Sequence, residues 1–252
     1  MSVNRTSAYT FLLKLFVVLV FISPFVYQPI QQIRNVHQAW KLRRYRPVPE
    51  SAVNGVEKFH FVDFSSCANA DYHHNPFFPN PNSGSDHFPE LQPGVYVSRK
   101  IPLRILQPYA VTKQPSALTT GENPIFSCQI PLPAVFSRAL HLALDGAWIG
   151  GGHSRIARLE VRYKDGTRES RILAANRDIW SYQKKSSEAR IPRKLVLWED
   201  RQGHHLVVIS IPLDSSKIPE ALEIWTMPAV GKEGKQPAIA IFAVTQEFKK
   251  EG

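Results

Sequence analysis

Apolar and polar residues alternate along most of the chain from about residue 58 onward. Segments with a two-residue period, bounded by Gly, Pro, Asn or Asp, are typical of half-buried β-strands. Asp165-Gly166 and Gln202-Gly203 lie between such segments, and each predicts a β-hairpin. The predicted strand regions are 58–65, 94–106, 138–148, 155–175, 194–213, 220–227 and 238–248. Seven or eight short strands with few helical segments predict an all-β sandwich or jelly roll.

The N-terminal region has a different pattern. Residues 9–27 are apolar except for Thr10, Lys14 and Ser23, and a helix of about 19 such residues just crosses a hydrocarbon core of about 30 Å. We interpret it as an uncleaved signal-anchor, since no A-x-A-like cleavage site follows near Tyr27. A cleaved signal peptide and a buried core helix remain alternatives. The predicted organisation is a tail at 1–8, a transmembrane helix at 9–28, a basic juxtamembrane helix and linker at 29–56, and a β-sandwich at 57–249.

Charge is concentrated before residue 50. The chain carries a formal +10, of which residues 1–50 supply +6, so 24 basic and 20 acidic residues remain for the rest. A net +4 on the globular part gives little support to nucleic-acid binding, and we predict no nucleic-acid partner. The basic residues after the apolar segment would retain the large domain in the cytoplasm by the positive-inside rule. The signal-like N-terminus favours export instead, and we expect a single-pass protein of the cell membrane with its large domain outside the cytoplasm.

Short motifs follow one another along the chain at Asp63–Asn69, Leu91–Gly94, Ile101–Ile105, Leu140–Leu144 with Trp148, Val161–Thr167 and Asn176–Trp180. Over about residues 58–248, their order resembles that of galactose-binding-like β-sandwich modules of bacterial envelope proteins. The resemblance implies a jelly-roll sandwich of a kind often attached to enzymes or membrane proteins. It implies that these motifs serve mostly as framework. The long loop differs from the family pattern, since Pro and Phe stand where Gly and Trp are usual.

That loop, Asp71 to Pro93, contains five prolines and is the most promising place for a ligand. Sugar rings bind on aromatic faces with a few placed hydrogen bonds, and aromatic residues lie in this loop and near another one. An equally simple role for such rings is to pin the loops to the domain. The candidate ligand-binding residues are Tyr72, His73, His74, Phe77, Phe78 and Trp180.

Cysteine and histidine residues suggest further chemistry. Cys67 and Cys128 can form one disulfide that closes a loop of about 60 residues, or they are two unrelated buried thiols. His73 and His74 invite a metal interpretation, but their spacing matches no closed metal site, and we predict no metal and no cofactor. We expect the His204-His205 pair, beside a hairpin turn, to be exposed to solvent. His141, on a strand, is expected to be hydrogen-bonded.

Acidic residues at strand ends are the remaining candidates for catalysis. Asp63, Asp145 and Asp178 could supply paired carboxylates for glycoside hydrolysis, but such residues normally cap turns. We therefore predict no catalytic residues. The sequence favours a membrane-anchored, non-catalytic sandwich that binds a glycan or an envelope protein. The alternatives are a carbohydrate-active enzyme or its accessory domain, and a structural subunit of a membrane complex.

Overall fold

The structure, a computed structural model, describes residues 29, 31–32, 45–70, 88, 90–106, 109–111, 125–147, 149, 155–181, 188–227 and 238–249. The chain divides into two compact units, Met1–Arg44 and Tyr45–Gly252. In the first unit, residues 29, 31 and 32 have helical backbone. The predicted transmembrane helix at 9–28 lies outside the described residues. Within the described ranges, no helix has the length and apolar character that a bilayer crossing needs.

The second unit is built from antiparallel β-strands, which confirms the all-β prediction. The described strands are β1 (Phe59–Phe61), β2 (Ala68–Ala70), β3 (Gly94–Ser98), β4 (Ile101–Ile105), β5 (Tyr109–Val111), β6 (Ile125–Pro131), β7 (Ser137–Ala147), β8 (Arg155–Tyr163), β9 (Arg168–Ala174), β10 (Val196–Glu199), β11 (His205–Pro212), β12 (Pro219–Thr226) and β13 (Ala238–Phe248). Short 3-10 turns occupy Glu50–Ala52, Val56–Lys58 and Arg193–Leu195.

These strands form a sandwich with an added hairpin. One sheet has seven strands in the order β10-β11-β7-β13-β5-β2, with β1 paired to β13. The facing sheet has four strands in the order β6-β12-β8-β9, and β3 pairs with β4 as a separate ribbon. The non-sequential order is the expected signature of a sandwich whose connections pass between sheets.

The core centres on β7 and β13. Leu140, Leu142 and Leu144 lie on one face of β7 as predicted, each with no exposed surface. The opposite face is covered as well, and the hydroxyl of Thr245 on β13 donates a 2.8 Å hydrogen bond to the carbonyl of Pro102 on β4. Strands covered on both faces bury nearly every side chain, and each buried Leu contributes about 1.5–3 kcal/mol. Polar residues of β7 are therefore buried too.

The predicted hairpin turns have the expected chemistry. Gly166 has φ of 83° and Gly203 has φ of 93°, a left-handed conformation that glycine adopts without strain. The Asp165 carboxylate accepts hydrogen bonds from the Thr167 amide at 2.9 Å and the Thr167 hydroxyl at 2.6 Å. These contacts set the β8–β9 turn and keep the two strands in register.

The chain enters the second unit earlier than the predicted boundary near residue 57. Tyr45 is 7% exposed and belongs to the core, and the amide of Val48 donates a 2.7 Å hydrogen bond to the carbonyl of Val95. Pro47 packs against Gly94 so closely that a Cβ at residue 94 would lie 2.5 Å from the proline Cβ. Part of the segment read as linker is therefore an integral piece of the sandwich.

Candidate functional site

The residues proposed from the sequence as ligand contacts fall into two groups. Tyr72, His73, His74, Phe77 and Phe78 lie outside the described residues, so their role stays a prediction. Trp180 is 3% exposed and packs in the core, following β9 and next to the bridge between Gly146 and Ser181. Its buried ring offers no open face to a sugar and forms part of the hydrophobic core.

The two cysteines are neighbours. Both thiols are free and half-buried, and the Sγ atom of Cys67 donates a 3.0 Å hydrogen bond to the carbonyl of Gln129. Burial and the adjacent Cys67 thiol raise the pKa of Cys128 well above its ordinary value. A disulfide between them stays a prediction, but the interpretation as two unrelated thiols does not fit this arrangement.

The strand-end acids have structural partners of different kinds. Asp63 accepts a 2.9 Å bond from the Ser65 amide and caps the turn after β1, as expected. The buried carboxyl of Asp145 accepts a 2.7 Å bond from the Gly146 amide, and complete burial raises its pKa well above the ordinary value. Asp178 pairs with arginines and accepts the Ala174 amide at 3.0 Å. None of these environments resembles a carboxylate pair that faces an open substrate cleft.

The histidines are more deeply placed than the sequence indicated. His141 is hydrogen-bonded as predicted, with Nδ1 2.8 Å from the Ser210 hydroxyl and Nε2 3.2 Å from a Glu247 oxygen. The prediction that the His204-His205 pair is exposed to solvent is wrong. His205 is fully buried, and desolvation lowers its pKa to about 4, while His204 lies 2.6 Å from an Asp200 oxygen. Asp200 closes the β10–β11 turn, since its carboxylate accepts both the Gly203 and His204 amides.

The part of the chain that the structure describes contains no cluster of metal-ligating side chains. No group of three or more His, Cys, Asp or Glu side chains there is placed to hold a metal ion. The two histidines that first suggested a metal, His73 and His74, are outside that part.

An open groove lies at one end of the sandwich and is the best candidate for a ligand site. It has a volume of about 970 Å³ and lies among the β6–β7 loop, the β11–β12 loop, the 3-10 turn before β1 and the end of β13. Apolar side chains form much of its lining, and two lysines, two serines and the carboxylate of Glu57 add polar groups. The lining includes Lys58, Val135, Phe136, Ser215, Phe248 and Lys249. We call this site the terminal groove.

Phe136 is the central feature of the terminal groove. Its side chain is 49% exposed, the highest value among the described large apolar residues, and neighbouring Val135 is 40% exposed. Phe248 lies at the same groove, half-buried and stacked on His60 with ring centroids 6.2 Å apart. Exposed apolar side chains grouped on one surface mark interaction sites more often than isolated ones do.

The loop that presents Phe136 is held firmly. The buried amide of Gln246 donates to the Pro133 carbonyl at 3.0 Å and to the Ser137 hydroxyl at 2.6 Å. The Ser137 hydroxyl in turn donates to the carbonyl of Val135 at 2.9 Å. Both ends of the loop are thereby fixed, so its backbone does not need to be ordered when a ligand arrives.

Polar groups border the apolar floor. The ammonium group of Lys249 donates a 3.3 Å hydrogen bond to the Ser215 carbonyl, which holds it beside the loop. Lys58 is exposed at the end of the 3-10 turn that leads into β1, and the Ser216 hydroxyl donates to Asp214 at 2.6 Å. An aromatic face with hydroxyl and ammonium groups around it matches the usual composition of a saccharide site.

The sequence reading missed this groove. Its signal is the segment Ala134-Val135-Phe136, which places apolar residues at a turn between two strands where polar ones are expected. The pairing of Phe248 with Ser137 brings the end of β13 to that turn, and the pairing is not visible from local sequence.

Comparisons with known proteins leave the family open. No family model matches the chain, and no curated protein matches its sequence. The sandwich and its terminal groove are therefore the features that bear on function.

Proposed function

We propose that this chain is a membrane-anchored, non-catalytic binding module of the galactose-binding-like jelly-roll type, and that it binds a glycan in the terminal groove. The observation that supports it best is Phe136, an exposed aromatic ring on a loop fixed by Gln246. A sugar ring stacks its C–H face on such a ring while its hydroxyl groups bond to nearby lysine and serine groups. A volume of about 970 Å³ accommodates a short oligosaccharide.

The apolar segment at residues 9–27 supports the anchor. Its length suits one crossing of a bilayer, and the basic residues that follow suit anionic headgroups. A sandwich outside the cytoplasm would meet envelope polysaccharides. A topology reporter fused after Gly252 tests this part, and a cytoplasmic signal would remove the exported glycan from consideration.

A glycan array with the full-length chain tests the ligand class. Binding to oligosaccharides that is lost in Phe136→Ala supports the proposal. An array without binding, together with a co-purifying envelope protein, would instead favour a subunit of a membrane assembly. Hydrolysis of a polysaccharide that depends on Asp63, Asp145 or Asp178 would favour the carbohydrate-active enzyme.

A further inference from the structure

A second and smaller cleft lies at the open edge of β11. The pairing of β10 with β11 ends at Val196 and Val207, and no strand within the described ranges pairs with the next residues of β11 on that edge. The cleft forms there, with a volume of about 200 Å³, between the β3–β4 turn, β9 with its following turn, and the 3-10 turn at Arg193–Leu195. It shares no lining residue with the terminal groove.

Positive charge dominates this edge cleft. Among the residues that the structure describes, four cationic side chains and one carboxylate line it, which gives a formal net charge of +3. The five charged residues are Arg99, Arg171, Arg177, Asp178 and Lys194. Such an excess of one sign in a small concave space attracts a counter-charged ligand.

The carboxylate in the lining, Asp178, already accepts hydrogen bonds on both of its oxygens. Asp178 accepts hydrogen bonds from Arg177 at 2.6 and 2.8 Å and from Arg171 at 3.2 Å, besides the Ala174 amide. Burial by itself would raise the pKa of Asp178, but these hydrogen bonds outweigh it and the pKa lies below its ordinary value. Asp178 therefore stays ionised and orients the two guanidinium groups.

The other two cations have no such partner. Among the described residues, neither Arg99 nor Lys194 forms an ion pair, and both side chains are exposed at the cleft. Arg171 has a second fixed contact, since it donates a 2.6 Å bond to the Ser210 carbonyl at the strand edge. The cleft thus combines two oriented guanidinium groups with two cations, Arg99 and Lys194, whose charge no described carboxylate neutralises.

The backbone at the β3–β4 turn gives independent support. Arg99 has φ of 54° and Lys100 has φ of 69°, the pattern of a two-residue type I′ turn that strongly favours Asn-Gly. Two long cationic residues in left-handed conformations cost about 1–3 kcal/mol each, and strain of this kind concentrates at ligand sites. Arg99 lines the cleft, whereas Lys100 does not.

We propose that the edge cleft binds an oxyanion, a carboxylate or phosphoryl group, with Arg99 and Lys194 as direct contacts and Arg171 and Arg177 as oriented donors. Charge-assisted hydrogen bonds from guanidinium and ammonium groups suit either anion. A volume of about 200 Å³ fits one such group with its nearest atoms, which means the end or side group of a larger ligand or a free ion.

The β3–β4 turn supplies a matched pair of variants for the test. Arg99→Asn and Lys100→Gly both place a residue that the turn prefers, so both are expected to raise the melting temperature of the full-length chain. Arg99→Asn also removes a cleft cation and is expected to weaken anion binding at least about tenfold. Lys100→Gly leaves the lining intact and is expected to bind like the wild type.

Calorimetric titrations at low ionic strength use inorganic phosphate in one arm and a galacturonate oligomer in the other, with the neutral galactose oligomer as reference. Saturable binding in either charged arm, weakened by Arg99→Asn and by Lys194→Gln, supports the site, and the tighter arm identifies the source of the anion. Absence of binding in both charged arms would overturn it. Equal binding of the neutral oligomer would overturn it as well, and so would an unchanged affinity in Arg99→Asn.

Discussion

The backbone amide of Lys249 donates a 3.0 Å hydrogen bond to the carbonyl oxygen of Phe136. This bond ties the residue just after the last strand to the loop that carries the exposed ring. The end of β13 and the β6–β7 loop therefore form one rigid wall of the terminal groove. A preordered aromatic platform loses little entropy on binding, which is why this wall suits recognition.

Gln246→Leu should weaken glycan binding at the groove by removing the hydrogen bonds that support the β6–β7 loop. The change keeps the side chain's size but removes the bonds to Pro133 and Ser137, and it leaves the Pro133 carbonyl without its buried donor. We expect the free energy of unfolding to fall by about 1–3 kcal/mol and glycan affinity to fall several-fold. Urea unfolding and calorimetry measure the two effects. A destabilised variant with unchanged affinity would show that loop rigidity is irrelevant to binding.

His205 should make the fold sensitive to mild acid. Its folded-state pKa is about 4 because of desolvation, against an ordinary value near 6.5, so the unfolded chain binds its proton first. Stability is therefore complete above about pH 6.5 and falls by up to about 3 kcal/mol as the pH drops to about 4. Burial also lowers the pKa of His141, which adds to the same trend.

Urea unfolding between pH 7 and pH 4 measures that loss. His205→Leu should flatten the curve, whereas the control His60→Gln, at an exposed position, should leave it unchanged. A profile of the same slope in His205→Leu would assign the acid sensitivity to other groups.

Oxidation should join Cys67 to Cys128. Their thiols are adjacent, and a bridge would close a loop of about 60 residues and add about 4 kcal/mol by chain entropy. The raised pKa of Cys128 keeps it as a thiol near neutral pH, so we expect slow oxidation that accelerates in alkali. Mass spectrometry and melting temperature with and without reductant detect the bridge, and the double variant Cys67→Ser/Cys128→Ser serves as control. Predominantly intermolecular disulfides would contradict the pairing.

Gly94→Ala tests whether residues 45–48 belong to the sandwich. Gly94 has φ of 145°, and the new methyl group would lie 2.5 Å from the Cβ atom of Pro47. Gly166→Ala is the matched control, since φ there is 83° and no atom lies within 4 Å of the added carbon. Each variant should lose about 1 kcal/mol or more from backbone strain. Gly94→Ala should lose more of its free energy of unfolding than Gly166→Ala, and it should expose the bond between Tyr45 and Arg46 to protease. Equal losses in the two variants would show that residues 45–48 are not part of the folded sandwich.

The sequence predicted the sheet well because the period-two pattern and the turn residues are local properties. Asp165-Gly166 and Gln202-Gly203 specify their hairpins by their own φ and hydrogen bonds. Burial of His205 was missed because it depends on the packing of strand β11 against its neighbours rather than on distance from a turn. A prediction from local sequence places His205 beside a turn and therefore assigns it to the solvent-exposed surface.

The groove was missed for a similar reason. Phe136 reads as one apolar residue at a loop, and its significance appears once β13 brings Phe248 and Lys249 beside it. Trp180 shows the converse, because aromatic residues near loops attract a ligand interpretation while the structure buries this ring in the core. Long-range pairing decides both outcomes, and a single sequence does not display it.

Titration of the best oligosaccharide from a glycan array into the full-length chain tests glycan binding at the groove most directly. The wild type is compared with Phe136→Ala and with Val97→Ala, a similarly exposed apolar position at 45% that lies outside the groove. Loss of an aromatic anchor should cost at least about tenfold in affinity for Phe136→Ala, with Val97→Ala unchanged. Equal affinities in all three proteins, or no oligosaccharide that binds, would contradict the account.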